Sequence, residues 1–185
     1  MDELNLNKKK NNILGELDEL NSLIGLAKSF VKDREIRKLL TNIQNDIFVI
    51  QANIASPRNA IYLPPNTLLD DIVSLQKQTY WIEKGLKKLN HFIIPEGATS
   101  ACYLHCARTV ARRIERKMRG YLKDRPPILA RYFDRLACLM FALARYINKK
   151  EGFKERPPKY FAQRKLQTQK QQSTKGGVNE RQKIN

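Results

Sequence analysis

Apolar residues recur along this chain at three- and four-residue spacing, the period of one face of an α-helix, and almost nowhere at the two-residue spacing of a strand. Leu14, Leu17, Leu20, Ile24 and Ala27 mark a first helix. Ile36, Leu39, Leu40, Ile43, Ile47 and Ile50 mark a second, from about Arg34 to Ile54. The stretch ASPRNAIYLPPN then breaks the pattern with three prolines, which lack the N–H that a helix interior needs. Asn66 or Thr67 can cap a third helix, with Asp70 and Asp71 near its positive end and Leu68, Leu69, Ile72, Leu75, Ile82 and Leu86 on its apolar face. HFIIPEG reads as a short extended connector. A fourth helix carries Leu104, Ala107, Val110, Ala111, Ile114 and Met118 on one side and is stopped by KDRPP. A fifth spans roughly Ile128 to Lys149, with Leu129, Tyr132, Leu136, Leu139, Met140 and Leu143 inward. No segment demands a sheet. Five long helices on short links predict an all-α fold, a five-helix antiparallel bundle.

Composition adds a tail to this picture. From Lys159 to Asn185 there are seven Lys or Arg, one Glu, many Gln and few apolar residues, too little apolar surface to offset the entropy of ordering. The expected division is a disordered basic N-terminus over 1–12, the helical bundle over 13–152, and a disordered, basic Gln/Lys-rich C-terminal tail over 153–185. The formal charge is +17, and without the tail the remaining 28 basic and 17 acidic residues still give +11. Such a surface attracts phosphates, nucleic acid or anionic membranes. No apolar run reaches the roughly 18 residues of a membrane span, and MDELNLNKKKNN lacks the apolar stretch of a signal peptide. Cys102, Cys106 and Cys138 are odd in number and show no CxxC spacing. They are expected to be reduced, in a cytoplasmic protein. Cys102, His105 and Cys106 lie close in sequence but lack a fourth ligand, so no metal site is expected.

The fourth helix poses a problem of charge. LHCARTVARRIERKMRG, Leu104 to Gly120, holds five arginines, one lysine and one glutamate beside its apolar stripe. Arg108, Arg112, Glu115 and Arg119 fall within one narrow arc at about 100° per residue, flanked by Arg113 and Arg116. Stacked guanidinium groups repel one another unless an anion or partner carboxylates lie opposite. Arginine suits that task because its planar fork grips two oxygens at once. Periodicity alone leaves three readings open: a solvated basic face, a phosphate or nucleotide site, or a nucleic-acid surface.

Three ordered blocks carry a family resemblance. HFIIPEG followed by LHCARTVARRIER, His91 to Arg116, resembles the F-I-L-P-G-G and A-L-H-x-A-R-T-x-x-R-R-A-E-R signature of the PduO-type ATP:cob(I)alamin adenosyltransferases. GELDELNSLIGLA, Gly15 to Ala27, is similar to the family's G-x-x-D-E-L-N-S-x-I-G, and YFDRLACLMFALARYINKKEG, Tyr132 to Gly152, to its F-L-N-R-L-S-D-x-L-F-x-x-A-R-Y-x-N. The resemblance implies a five-helix fold, a homotrimer with sites between subunits, and transfer of the 5′-deoxyadenosyl group of ATP to cob(I)alamin with release of triphosphate. ATP and cobalamin are then substrates, with Mg2+ as cofactor. A flavin reductase and an adenosylcobalamin-dependent enzyme are the implied partners. Arg112, Arg113, Glu115, Arg116 and Asp134 stand where the family binds ATP. Arg108 matches an arginine that pairs across the subunit interface with the aspartate at Asp18, which puts Arg108, Arg112 and Asp18 in catalysis. Phe92 matches the aromatic that closes the lower face of the corrinoid; from pattern alone it reads as a core residue.

Some positions depart from the family. Its T-x-x-G-D-x-G-x-T phosphate-wrapping segment has no counterpart in this sequence. Glu96-Gly97 replaces Gly-Gly, Asp134 replaces an asparagine, and Ala137-Cys138 replaces Ser-Asp. A carboxylate facing phosphates repels them unless magnesium or Arg112 neutralises it. The alternative reading is therefore a divergent, non-catalytic homologue that binds a corrinoid or a polyanion, with nucleic acid held through the basic tail.

Overall fold

The computed structural model describes residues 3–56, 65–121 and 128–159. Five helices follow one another: α1 Glu3–Phe30, α2 Arg34–Ala55, α3 Pro65–Lys84, α4 Thr99–Tyr121 and α5 Ile128–Lys150. Among the described residues there is no strand.

Each helix buries the stripe its sequence dictates. α1 buries Ile13, Leu17, Leu20, Ile24 and Ala27, and α2 buries Ile36, Leu40, Ile43, Ile47, Ile50 and Ile54. Asp33 starts α2 as an N-cap, its Oδ1 accepting from the N–H groups of Glu35 (3.0 Å) and Ile36 (3.3 Å). α4 and α5 supply the centre of the core, with Leu104, Ala107, Ile114 and Met118 against Phe133, Leu136, Met140 and Leu143, all fully buried.

Polar cross-links give the direction of each helix. Lys10 of α1 donates to Ala55 O (2.6 Å), and Lys28 to Thr41 Oγ1 (3.2 Å), so α1 and α2 are antiparallel. Arg112 pairs with Asp134 near one end of α4 and α5, and Ala98 N donates to Asn148 Oδ1 (2.9 Å) near the other, so these two are also antiparallel. Glu16 with Lys117, and Phe30 stacked on Tyr103 at 5.9 Å, set α1 against α4 in the same sense. The packing order is α2–α1–α4–α5–α3. Between α2 and α3 lies an open cleft of about 290 Å³, lined among others by Asp46 and Asp71. Burial, then the neighbouring Asp71, raises the pKa of Asp46, while Tyr132, whose hydroxyl donates to Asp46 Oδ2 at 3.3 Å, pulls the other way.

Several expectations need correction. Residues 3–12 form the first turns of α1 rather than a disordered arm. They bury little, Leu4 being 79% exposed, but good helix formers propagate from a nucleated helix at small cost, and Lys10 ties the segment to α2. Helix α3 starts at Pro65, ahead of the expected cap at Asn66 or Thr67, since proline at the first helical position forfeits no hydrogen bond. It ends at Lys84, before Leu86, and Leu69 is exposed. The disorder expected over 153–185 does not hold at its start, where Phe153 N donates to Asn148 O and Glu155 pairs with Arg145; residues 160–185 and the KDRPP stop at 123–127 lie outside the described residues.

Among the described residues, the five helices belong to one compact unit that runs to residue 88 and from 95 to 155, and a second unit comprises 89–94 and 156–159. Within the second, the Ile94 N–H donates to Arg156 O at 2.9 Å. Phe92 belongs to this second unit and is 80% exposed, not a core residue.

Candidate functional site

Four cations of α4, Arg112, Arg113, Lys117 and Arg119, are neutralised by carboxylates of α1, α5 and α4 itself. Towards α1, Arg113 Nε lies 2.9 Å from Glu16 Oε1, and its Nη2 donates to Glu19. Lys117 reaches the same Glu16 oxygen at 2.5 Å. Towards α5, Arg112 Nη1 donates to Asp134 and also lies 3.0 Å from Glu115 Oε2. Arg119 Nε donates to the other oxygen of Glu115 at 2.8 Å. Glu115 is buried, only 5% exposed. A buried carboxylate is tolerated because two guanidinium groups share it, and removing either would leave charge uncompensated. The two sides do different work. Arg113 and Lys117 fasten α4 to α1. Arg112 sits between its own helix's Glu115 and Asp134 of α5, with its side chain 44% exposed.

Two arginines remain. Arg116 is exposed and has no carboxylate partner among the described residues. Arg108 is half-buried; its Nε is buried without a hydrogen-bond partner, and its guanidinium lies 5.8 Å from the Phe141 ring. Asp18, on α1, is exposed and makes no ion pair among the described residues. The single chain therefore brings Arg112, Glu115 and Asp134 together, places Arg113 with α1, and does not join Asp18 to Arg108.

Other buried polar residues lie further along α4 and α5, towards the Asn148 end. His105 is 4% exposed, with both ring nitrogens unpartnered, and packs on Phe141 at 5.9 Å. Burial, reinforced by the Arg108 charge, lowers its pKa to about 4, so the imidazole is neutral. Arg145, 6% exposed, donates Nε and Nη2 to the two oxygens of Glu155 (2.5 and 3.0 Å) and Nη2 to Lys87 O (2.7 Å). Asn148 fixes the approach to α4: its Nδ2 donates to Glu96 O (2.7 Å), while its Oδ1 accepts from Ala98 N. Gly97 between them has φ +119°, and a Cβ there would lie 2.1 Å from Asn148 Oδ1. Only glycine fits. That explains why Gly97 stands while the preceding position accepts Glu96, which engages Asn148 through its backbone carbonyl. The ARYIN motif carried both Arg145 and Asn148, but their partners lie 52 and 58 residues away in sequence or on the following loop.

Cys138, close to Asp134, has its thiol pKa raised by burial and then by that carboxylate, which makes it a poor nucleophile. All three cysteines are free thiols. Among the described residues, no three His, Cys, Asp or Glu side chains are grouped to hold a metal, and no helix is long and apolar enough to cross a membrane.

Comparison with known proteins agrees with this architecture. A corrinoid adenosyltransferase of Mycobacterium leprae is 34% identical over 143 residues, spanning 72% of this chain and 75% of that protein. A cobalamin adenosyltransferase of Cupriavidus metallidurans is 32% identical over 146 residues, 75% of this chain and 74% of that protein. A solved structure of a variant PduO-type ATP:corrinoid adenosyltransferase from Lactobacillus reuteri, complexed with cobalamin and ATP, superposes with a TM-score of 0.74 at 26% identity, covering 83% of this chain and 85% of that one. The family model for cobalamin adenosyltransferases matches residues 4–147, from the first turns of α1 to the ARYIN motif of α5, and with the three ordered blocks falling on α1, α4 and α5 of one bundle, this chain belongs to the cobalamin adenosyltransferase family.

Proposed function

We propose that the chain transfers the 5′-deoxyadenosyl group of ATP to a cob(I)alamin-type corrinoid. The cobalt(I) electron pair forms the bond to C5′, the C5′–O bond breaks, and triphosphate leaves with the electron pair. Negative charge grows on the leaving triphosphate, so fixed cations beside it lower the barrier selectively. The observation that carries this reading is the position of Arg112. It is half-exposed on the family's ATP-binding stretch and held at one end by Glu115 and Asp134, ready to turn its fork to phosphate oxygens.

Arg116, exposed and without a carboxylate partner among the described residues, supplies a second cation. Arg113 can reach phosphate only by giving up Glu16 or Glu19, so its first role is to hold α4 on α1. Asp134 neutralises Arg112 until the triphosphate replaces it. Mg2+ carried in with ATP would supply further neutralisation of the triphosphate. In a homotrimer, the unpaired Asp18 of one subunit meets the buried, unpartnered Nε side of Arg108 of the next. Phe92, exposed in the single chain, serves as the apolar cover of the lower corrinoid face.

The test is anaerobic spectroscopy of cob(I)alamin with the protein and Mg-ATP. Loss of the cob(I)alamin spectrum with stoichiometric release of triphosphate is expected. A spectrum that persists while ATP is bound would refute the transferase reading and leave a non-catalytic homologue.

A further inference from the structure

A second cationic site lies on other residues than the arginines of α4. Where α1 ends and α2 begins, an open cleft of about 560 Å³ is lined by Lys28, Arg34, Glu35, Arg37, Lys38 and Thr41. Arg34, Arg37, Lys38 and Thr41 recur at the spacing that puts residues on one helix face. Lys28 faces them from α1, its ammonium held by Thr41 Oγ1 at 3.2 Å and Gln44 Oε1 at 2.5 Å. None of these four cations has a carboxylate within ion-pair distance among the described residues, in contrast to Arg112, Arg113 and Arg119 of α4.

Their place on the helix makes this costly. The first turns of a helix carry its positive dipole end, where acids stabilise and cations destabilise. Three of the four cations occupy the first two turns of α2, and the one nearby carboxylate with a defined task, Asp33, is committed to capping the N–H groups of Glu35 and Ile36. Glu35 is the acid of that first turn and Lys28 is held by neutral oxygens, so cations outnumber carboxylates at this helix start, the pattern expected of an anion site.

We infer that this cleft binds a linear oligophosphate, independently of the site on α4. Four cations and a helix dipole of the same sign select an anion of high charge. At about 1.5 Å per residue the cations and Thr41 extend roughly 10 Å along α2, which suits a chain of three or more phosphates rather than a single one. The arginine forks and the Lys28 ammonium bind non-bridging oxygens. The ligand is either a free oligophosphate or the phosphate tail of a nucleotide.

The experiment is titration calorimetry of the full chain with inorganic triphosphate, orthophosphate and ATP, on wild type, the double variant Arg34→Gln/Arg37→Gln, and Lys28→Gln. Triphosphate affinity at this cleft is expected to fall roughly tenfold or more in each variant and to weaken with added salt. Orthophosphate is expected to bind far more weakly than triphosphate. Adenosyl transfer should be unchanged, because neither variant touches the α4 residues. Without ligand, the double variant should melt no lower than wild type, as it relieves charge at the positive helix end, and triphosphate should raise the melting temperature of wild type more than that of the variants. Tighter binding of ATP than of triphosphate, lost in the variants, identifies the nucleotide as the source; equal affinity identifies the free oligophosphate. Triphosphate binding that is the same in wild type and both variants would overturn the inference, and so would binding removed entirely by Arg112→Lys.

Discussion

Replacing Asp134 by asparagine tests how the cradle is held before ATP arrives. In the chain alone, Arg112 Nη1 is shared between Asp134 and Glu115, with side-chain exposures of 44% for Arg112 and 27% for Asp134. A pair this accessible to water contributes at most about 1 kcal/mol, and ATP must displace it to engage the guanidinium. The Asp134 charge also faces the incoming triphosphate; at about 4 Å in a water-like medium a single like-charge contact costs roughly 1 kcal/mol. Asp134→Asn removes both terms and keeps the shape of the side chain. Glu115 still anchors Arg112, so the helix face stays organised. The combined gain of about 2 kcal/mol corresponds to roughly thirtyfold tighter ATP binding. Calorimetric titration of Mg-ATP at one fixed ionic strength, for wild type and variant, reads this directly. Unchanged or weaker binding in Asp134→Asn would refute the reasoning and assign the carboxylate to direct support of the Mg-ATP complex.

Arg112→Lys keeps the charge but loses the fork. If Arg112 stabilises the leaving triphosphate, turnover should fall about a hundredfold, a loss of roughly 3 kcal/mol, with circular dichroism unchanged; a rate within a few fold of wild type would reduce the α4 stripe to a basic surface. Asp18→Ala should weaken the trimer and slow transfer, and sedimentation of the wild type as a monomer would remove the proposed Asp18–Arg108 contact. The buried neutral His105 makes stability depend on pH. Its folded pKa of about 4 lies below the ordinary 6.5, so the unfolded chain binds the extra proton, and stability falls as pH drops from 6.5 towards 4. The loss is up to roughly 3 kcal/mol. Denaturant melts of wild type and His105→Leu across that range should differ in slope, and parallel curves would show that the imidazole is not held neutral.

The sequence by itself determined which face of each helix is buried, because a 3.6-residue period is a local property that any core must satisfy. The stripes of α1, α2, α4 and α5 were legible residue by residue, and the ordered motifs singled out Arg112, Arg113, Glu115, Arg116 and Asp134 as one group, of which the single chain joins Arg112, Glu115 and Asp134. The helix ends were less legible. The first turns of α1 carry no apolar stripe, and the start of α3 at Pro65 depends on a proline that forfeits nothing at that position. The fate of the α4 arginines was decided only in three dimensions. A stripe of like charges shows that counter-ions are needed, not where they are. Glu19 lies 94 residues from Arg113, and Asp134 lies 22 from Arg112. Antiparallel packing therefore assigned Arg113 to α1 and Arg112 to α5, leaving Arg116 without a carboxylate among the described residues. The same holds for Gly97 and Asn148, which lie 51 positions apart in the chain. The need for glycine follows from the Asn148 side chain filling the space where a Cβ would stand, and that proximity exists only once α5 has folded back along α4.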